Sequence, residues 1–556
     1  VISSLPPLPG TDPSSTHDVA NQATPLAGYD VAGADLALVE GLHREGAPWH
    51  AEALGDLGVR AGSAEWLRAG DDANAYPPRL VTHDRYGHRV DEVEFHPSWH
   101  ALMDVAVTEG LAGSLAWSGR SGAHVARAAS FAVWSQVEGG HACPISMTYA
   151  AVPALRANPA LAAELVPLLT SGVYEPTLAP LSAKRGALCG MGMTEKQGGS
   201  DVRANTTTAT PVGDGAYVLR GHKWFTSAPM CDAFLFLAQA PGGLSCFLVP
   251  RTLPDGTRNR LHLARLKDKL GNRSNASSEI ELADALGVLV GEEGRGVRTI
   301  ISMVSLTRLD CVIGSTSLQR VALANAIHHA RHRAVFGRTL IDQPLMRTVL
   351  ADLALESEAA TALMLRLAGA VDRAEAGDER EQAFARIATA IGKYWVCKRT
   401  PTAVGEALEC LGGNGYVEES RMPRYYREAP LLSIWEGSGN VNALDVLRAM
   451  SRSPETVSAL RDELAAAAGV SATYDEALRG LDKELTDLDG LETRARRLVE
   501  RTALLLSASV LLRHSPVGEA FVAARLGPDA SLVYGGLPRG LDTDGILARA
   551  SAGLPG

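Results

Sequence analysis

Met191-Gly192-Met193-Thr194-Glu195-Lys196-Gln197-Gly198-Gly199-Ser200-Asp201 holds three glycines, two small hydroxyl side chains and one β-branched residue, Thr194. A segment of this kind can bring main-chain N–H groups close to a planar or phosphorylated ligand, because no Cβ stands in the way. Thr194 and Ser200 add hydroxyl donors. On composition alone it reads equally well as a surface loop closing a β-hairpin.

Around this stretch, from Gly186 to about 290, the hydrophobic pattern is that of strands. Phe234-Leu235-Phe236-Leu237 and Cys246-Phe247-Leu248-Val249 are short apolar runs bounded by Pro241, Gly242, Gly243 and Pro250. Ser278 to Leu282 alternates polar and apolar, as a strand with one wet face does. Upstream, from Ala34 to Arg185, the spacing is helical and alanine-rich, as in Ala101–Ala106 and Ala123–Ala129. Downstream, from Gly294 to Met450, helices return and are long. Val297, Ile301, Val304, Cys311 and Leu318 form an apolar stripe that also carries Arg308. The segment 1–33 is rich in Pro and small polar residues and reads as an extended arm. The segment 451–556 is a further helical region, apolar from Leu498 to Leu512.

The expected fold is therefore α+β and mostly helical. An arm (1–33) leads to an N-terminal all-α domain (34–185). A small antiparallel β-domain (186–290) precedes a C-terminal four-helix bundle (291–450) and an extra helical domain (451–556).

Composition narrows the class. At 556 residues the chain exceeds one compact core. No run of about 18 apolar residues exists, so no membrane-spanning helix is expected. Val1–Gly10 lacks the basic-then-apolar order of a secretion signal, and a cytoplasmic protein is the expectation. Seven cysteines with no C-x-x-C pair imply buried free thiols. The net charge of −10 disfavours general nucleic-acid binding.

Four further motifs follow the first stretch: Lys223-Trp224-Phe225-Thr226, Arg333-Ala334-Val335-Phe336-Gly337, Gly412-Gly413-Asn414-Gly415-Tyr416 and Trp435-Glu436-Gly437-Ser438-Gly439-Asn440. In this order they resemble the acyl-CoA dehydrogenase superfamily of flavoproteins. Gly190–Asp201, Leu266–Ser277 and Ser433–Asn440 look nearly identical to its AidB-type, alkylation-response branch. The resemblance runs from about residue 25 to about 450, with a weaker echo to the end.

The resemblance implies the acyl-CoA dehydrogenase fold, FAD as cofactor and Glu436 as catalytic base. It implies that Met191, Met193 and Thr194 line the flavin ring, Gly199 and Ser200 approach its pyrophosphate side, and Trp224 and Thr226 back the ring. Arg333, Phe336, Gln343 and Gly413 would reach the FAD of a neighbouring subunit, so a homotetramer is implied. Ser438 and Asn440 take the places of the usual Thr and Gln near the adenine. Gln343 lies one residue nearer Phe336 than in typical members, and Glu409 stands where many have Gln. Trp435 replaces the smaller ring that often precedes the base, which should narrow the acyl tunnel toward short or branched thioesters.

No Walker loop, H-E-x-x-H or G-x-G-x-x-G is present, so the cofactor would not sit on a Rossmann unit. His328 and His332, one helical turn apart, lack an acidic third ligand, and no metal is expected. AidB-type proteins carry an extra helical domain for which DNA contact has been proposed. Here residues 451–556 hold 12 Lys/Arg against 15 Asp/Glu, a balance that gains little from counterion release. Two alternatives to a dehydrogenase stay open: a flavin-bearing, DNA-associated stress protein without turnover, and a flavin oxidase or monooxygenase acting on a non-CoA substrate.

Overall fold

The computed structural model describes residues 16–486 and 489–556; the start of the expected arm, 1–15, lies outside them. Helices α1 (Leu36–Arg44), α2 (Ala51–Ala61) and α3 (Ala64–Ala75) come first, then a hairpin of β1 (Arg79–His83) and β2 (Arg89–Glu94). Helices α4 (Pro97–Thr108), α5 (Ala123–Trp134), α6 (Ala142–Leu155) and α7 (Pro159–Leu169) complete this block. The hairpin departs from an all-helical N-terminal domain. Its strands flank an Asp-x-x-Gly turn in which the Asp84 carboxylate accepts the Tyr86 and His88 N–H groups. Helix α5 is buried on every side and α6 almost so, which is why their sequences read as near-continuous apolar runs.

The sheet domain contains β3 (Cys189–Gly192), β4 (Thr208–Gly213), β5 (Ala216–Ser227), β6 (Ala233–Ala240), β7 (Gly243–Pro250), β8 (Leu261–Leu266) and β9 (Ser277–Val290). β6, β4, β5, β9 and β7 pair in a ring that closes where β7 meets β6, with β8 added on β9. Most ladders are antiparallel, as expected. β3 instead runs parallel to β6, from Cys189 beside Ala233 to Gly192 beside Phe236. It enters from α7 rather than from a hairpin, so its direction is free of hairpin geometry. The glycine-rich stretch thus begins at the end of a buried strand and runs into a loop, in which Glu195 and Gly198 pair in one antiparallel bridge.

The third block begins with α8 (Gly296–His332) and a short knuckle of β10 (Ala334–Val335) and β11 (Arg338–Thr339). It continues with α9 (Pro344–Glu375), α10 (Glu379–Glu409), α11 (Met422–Ile434) and α12 (Gly439–Arg452). α8, α9 and α10 pack on one another, and α11 fills the fourth place against α8 and α10. α8 is buried around most of its girth, so its stripe is broad. The last block is α13 (Pro454–Ala465), α14 (Ala472–Thr486), α15 (Leu491–His514), α16 (Gly518–Arg525) and α17 (Thr543–Ala550). α15 lies on α9, α10 and α12, and α17 on α9. All seven cysteines are buried free thiols. Among the described residues no helix is long and apolar enough to cross a membrane.

Candidate active site

Glu436 follows α11 and sits at φ +56°, with Gly437 at +95°. For a non-glycine residue the left-handed region costs about 1–2 kcal/mol, so something must hold the turn. Three side chains do. Arg308 Nε of α8 donates to the Glu436 carbonyl at 3.0 Å. Lys393 Nζ of α10 donates to the Gly437 carbonyl at 2.7 Å, and Asn442 Nδ2 donates to the same oxygen at 2.6 Å. Arg308 is itself fixed by Asp445, 2.6 Å away on α12, and Arg386 grips the same carboxylate.

The Glu436 side chain is treated differently from its main chain. Its Oε2 is buried and has no hydrogen-bond partner among the described residues. Burial raises its pKa above the usual carboxylate range, against the lowering by the Thr307 hydroxyl, Arg308 and Lys393. An unpaired carboxylate oxygen inside a protein is costly, and such costs collect at functional sites. The Cys143 thiol of α6 is pushed up to about 11, chiefly by burial, with the Glu436 charge adding to the rise.

The loop after β3 is held from inside. Glu195 and Lys223 form a fully buried ion pair at 2.8 Å. Glu195 also accepts the main-chain N–H of Thr206 at 2.7 Å, and Lys223 donates to the Leu237 carbonyl at 2.7 Å. The Trp224 N–H donates to the Thr194 carbonyl at 2.9 Å, which fastens the loop to β5. The β5–β9 ladder shifts register between Lys223 and Thr226, a bulge that re-aims Trp224 and Phe225. Lys267 Nζ lies 3.3 Å from the Trp224 ring centroid.

Two observations bear on whether this place fits a flat polar cofactor. The Thr226 hydroxyl is buried and has no partner among the described residues. A Cβ on Gly192 would lie 2.6 Å from the Phe236 ring and 2.9 Å from Thr226 Oγ1, and one on Gly199 would lie 2.7 Å from Thr194 Oγ1. The backbone thus runs as close to the Thr194 and Thr226 hydroxyls as glycine permits. These features fit a ligand that hydrogen-bonds main chain and hydroxyls at one face.

The residues singled out from sequence fall into two groups. Met191, Met193, Thr194, Trp224 and Thr226 gather where β3 meets β5, with Gly199 and Ser200 exposed on the outer part of the same loop. Glu436 approaches from the helical side, and Ser438 and Asn440 are exposed at the start of α12. Arg333, Phe336 and Gln343 form a separate knuckle at the end of α8. Phe336 (φ +52°, 99% exposed) is its tip, and Gln343 Nε2 braces it through the Val335 carbonyl at 3.0 Å. Gly413 lies on an exposed single-turn helix, Gly412–Tyr416. His328 is buried and bonded to the Thr24 carbonyl at 2.8 Å.

Sequence reading passed over the clamp residues Lys393 and Asn442 and noted Arg308 only as a member of a stripe. A lone cation inside an apolar helical stripe was the available signal for Arg308 and Lys393. It also passed over a buried tie made by the Leu266–Ser277 loop. Asn272 gives its N–H and Nδ2 to Glu428 of α11 at 2.6 and 2.7 Å, and Ser274 gives its hydroxyl to Glu138 at 2.7 Å. Burial and the neighbouring Glu138 charge raise Glu428 to about 7. Burial also acts to raise Glu138, but hydrogen bonds from His141 and Gly140 outweigh it and hold that carboxyl at about 2.

With this geometry in place, the class follows from the chain's relatives. Residues 21–176 match the adaptive response protein AidB N-terminal domain. Residues 190–285 match the acyl-CoA dehydrogenase middle domain and 294–451 its C-terminal domain. AidB of Escherichia coli (strain K12) is 48% identical over 92% of this chain and 94% of its own length. Acyl-CoA dehydrogenase family member 11 of Caenorhabditis elegans is 31% identical over 82% of this chain and 78% of its own. A crystal structure of Caenorhabditis elegans ACDH-11 in complex with C11-CoA superposes with a TM-score of 0.83 at 27% identity, covering 97% of this chain and 94% of that one. The chain belongs to the acyl-CoA dehydrogenase family of oxidoreductases, in the branch that carries an AidB-type N-terminal domain.

Proposed function

We propose that this chain is an FAD-dependent dehydrogenase of an acyl-CoA thioester, with Glu436 as the base. The observation that carries the reading is the Glu436 carboxyl: buried, raised in pKa, unpaired at Oε2, and mounted on a strained turn gripped by Arg308 and Lys393. A base of that kind competes for a weakly acidic C–H next to a thioester carbonyl better than an exposed carboxylate does. FAD, when bound, supplies the hydride acceptor that no side chain provides.

Met191, Met193, Thr194, Trp224 and Thr226 would hold the flavin ring, with Gly199 and Ser200 toward the pyrophosphate and Ser438 and Asn440 toward the adenine. Arg333, Phe336, Gln343 and Gly413 would serve the FAD of a neighbouring protomer in a homotetramer. The bare Phe336 ring, with Leu345 83% exposed and Tyr416 82% exposed, supports a covering partner on that side. Glu436 takes the proton from the carbon beside the carbonyl, and its own main-chain N–H is available to the thioester oxygen. Trp435, packed against the core beside the base, favours short or branched acyl groups. The relative solved with C11-CoA makes chain length a question for experiment.

The test is anaerobic mixing of the purified holoprotein with acyl-CoAs from short and branched chains up to eleven carbons, following the flavin absorbance. Bleaching by one class of thioester is expected. Glu436→Gln should slow it by about 10²–10⁴-fold, the usual worth of a positioned general base. A flavin that no thioester bleaches would overturn the reading.

A further inference from the structure

The knuckle at the end of α8 is fixed by a part of the chain far from it in sequence. Asn21 sits at φ +56°, a backbone region that asparagine tolerates better than most residues. Its side-chain amide copies a peptide group: Oδ1 accepts the Ala334 N–H at 2.7 Å, and Nδ2 donates to the Ala334 carbonyl at 2.8 Å. The main-chain carbonyl of the same residue accepts Arg333 Nη1 at 2.6 Å. One residue on, Gln22 Oε1 accepts Asn414 Nδ2 at 3.3 Å, and the Thr24 carbonyl meets His328 Nε2 at 2.8 Å. Residues 21–24 therefore join three segments: the knuckle, the 412–416 turn and the last turns of α8. Only one corner of the Arg333 guanidinium is taken. Its other nitrogens have no acceptor among the described residues, so the fork is oriented yet open.

We propose that Asn21 is a positioning residue for the dinucleotide part of the FAD site. Together with Gln22 it locks the Arg333 fork and the 412–416 turn into one preformed unit before the pyrophosphate of a neighbouring protomer's FAD arrives. This rests on the two-subunit FAD reading above. Fixing the arginine in advance removes the ordering cost that a free, rotamer-rich side chain adds to binding. The guanidinium fork matches paired phosphate oxygens, so its orientation matters as well as its charge.

The experiment uses the holoprotein and three variants, Asn21→Gly, Asn21→Asp and Arg333→Ala, plus the Asn21→Gly/Arg333→Ala double. FAD release is timed after dilution by the recovery of flavin fluorescence. The elution volume and the melting temperature in saturating FAD are recorded for each. Asn21→Gly keeps the backbone conformation and should speed release about 10–50-fold, the worth of two lost hydrogen bonds. Asn21→Asp keeps the acceptor and should fall between Asn21→Gly and the parent. The double variant should release FAD little faster than Arg333→Ala, since the two act as one unit.

Wild-type release from Asn21→Gly alongside fast release from Arg333→Ala would overturn the proposal. So would fully multiplying effects in the double variant, or a drop in melting temperature that accounts for the loss in both Asn21 variants. Unchanged release from Arg333→Ala would instead bring down the two-subunit reading itself.

Discussion

At the residue scale, Glu436 shows how one position can be held rigidly by its backbone and left chemically free at its side chain. The surrounding cations grip carbonyls, not the carboxylate oxygen Oε2. That division predicts the effect of Arg308→Met. Removing a cation beside Glu436 disfavours the ionised carboxylate, so its pKa rises further. The acid limb of the pH–rate profile should then move to higher pH, and the maximal rate should fall as the turn loosens. Anaerobic flavin bleaching across pH 5–9 would check both. A profile unmoved from wild type would mean that Arg308 acts on the turn alone. Glu436 was singled out in the sequence through the family resemblance that the Trp435–Asn440 motif carries. Arg308 and Lys393 were not, because each reaches the turn from a helix distant in sequence, and Asn442, although only five residues from Gly437, lies just beyond the motif.

At the scale of elements, the loop after β3 and the Leu266–Ser277 loop are both held by buried charge. Lys223→Met strands the Glu195 carboxylate in a place with no water, and breaking such a pair costs about 3–5 kcal/mol. Chemical denaturation should show that loss, with part of it recovered when Glu195→Gln is added. The Glu428–Asn272 tie has a pH signature. The folded pKa of Glu428, about 7, lies above its ordinary value of 4.5. Its contribution to stability is therefore full below about pH 4.5 and lost as the pH rises through 7. Melting temperature should decline between pH 5 and pH 8 in the wild type and decline less in Glu428→Gln.

The strands themselves were readable from short apolar runs and turn residues. The parallel placement of β3 and the bulge at Trp224 were not. Both depend on which strand β3 meets and on how β5 and β9 align across some fifty residues of chain. The β1–β2 hairpin escaped notice because its strands are half-exposed and mix charge with apolar residues, so they carry no long alternating run.

At the scale of the whole molecule, the 451–556 region is part of the bundle rather than an appendage. Arg525 of α16 reaches Asp352 at 2.6 Å and Glu356 at 3.0 Å, both on α9 and both buried. Arg366 of α9 holds Glu463 of α13 at 2.8 Å and Glu381 of α10 at 2.7 Å. Arg525→Ala should cost about 3–5 kcal/mol, because it leaves acidic groups in a low-dielectric interior, and should lower the melting temperature of the whole chain in a single transition. A separate early transition would mean that the extension folds on its own. Within this region Arg497 and Arg501 of α15 converge on Glu484 of α14, so part of its basic charge is paired inside the domain.

The amino-acid sequence carried the order of blocks, the helical or extended character of each and the motifs that mark the family, because these are written in local periodicity and short contiguous runs. It also singled out the glycine-rich stretch by composition and Glu436 through the family resemblance. Burial of the Glu436 carboxyl, the three-sided clamp on its turn, the Glu195–Lys223 pair and the grip of residues 21–24 on the Arg333 knuckle emerged with the tertiary structure. Apart from the Asn442 contact, five residues from Gly437, these join residues tens to hundreds of positions apart, and both a pKa and the orientation of a side chain are set by what surrounds a group in space.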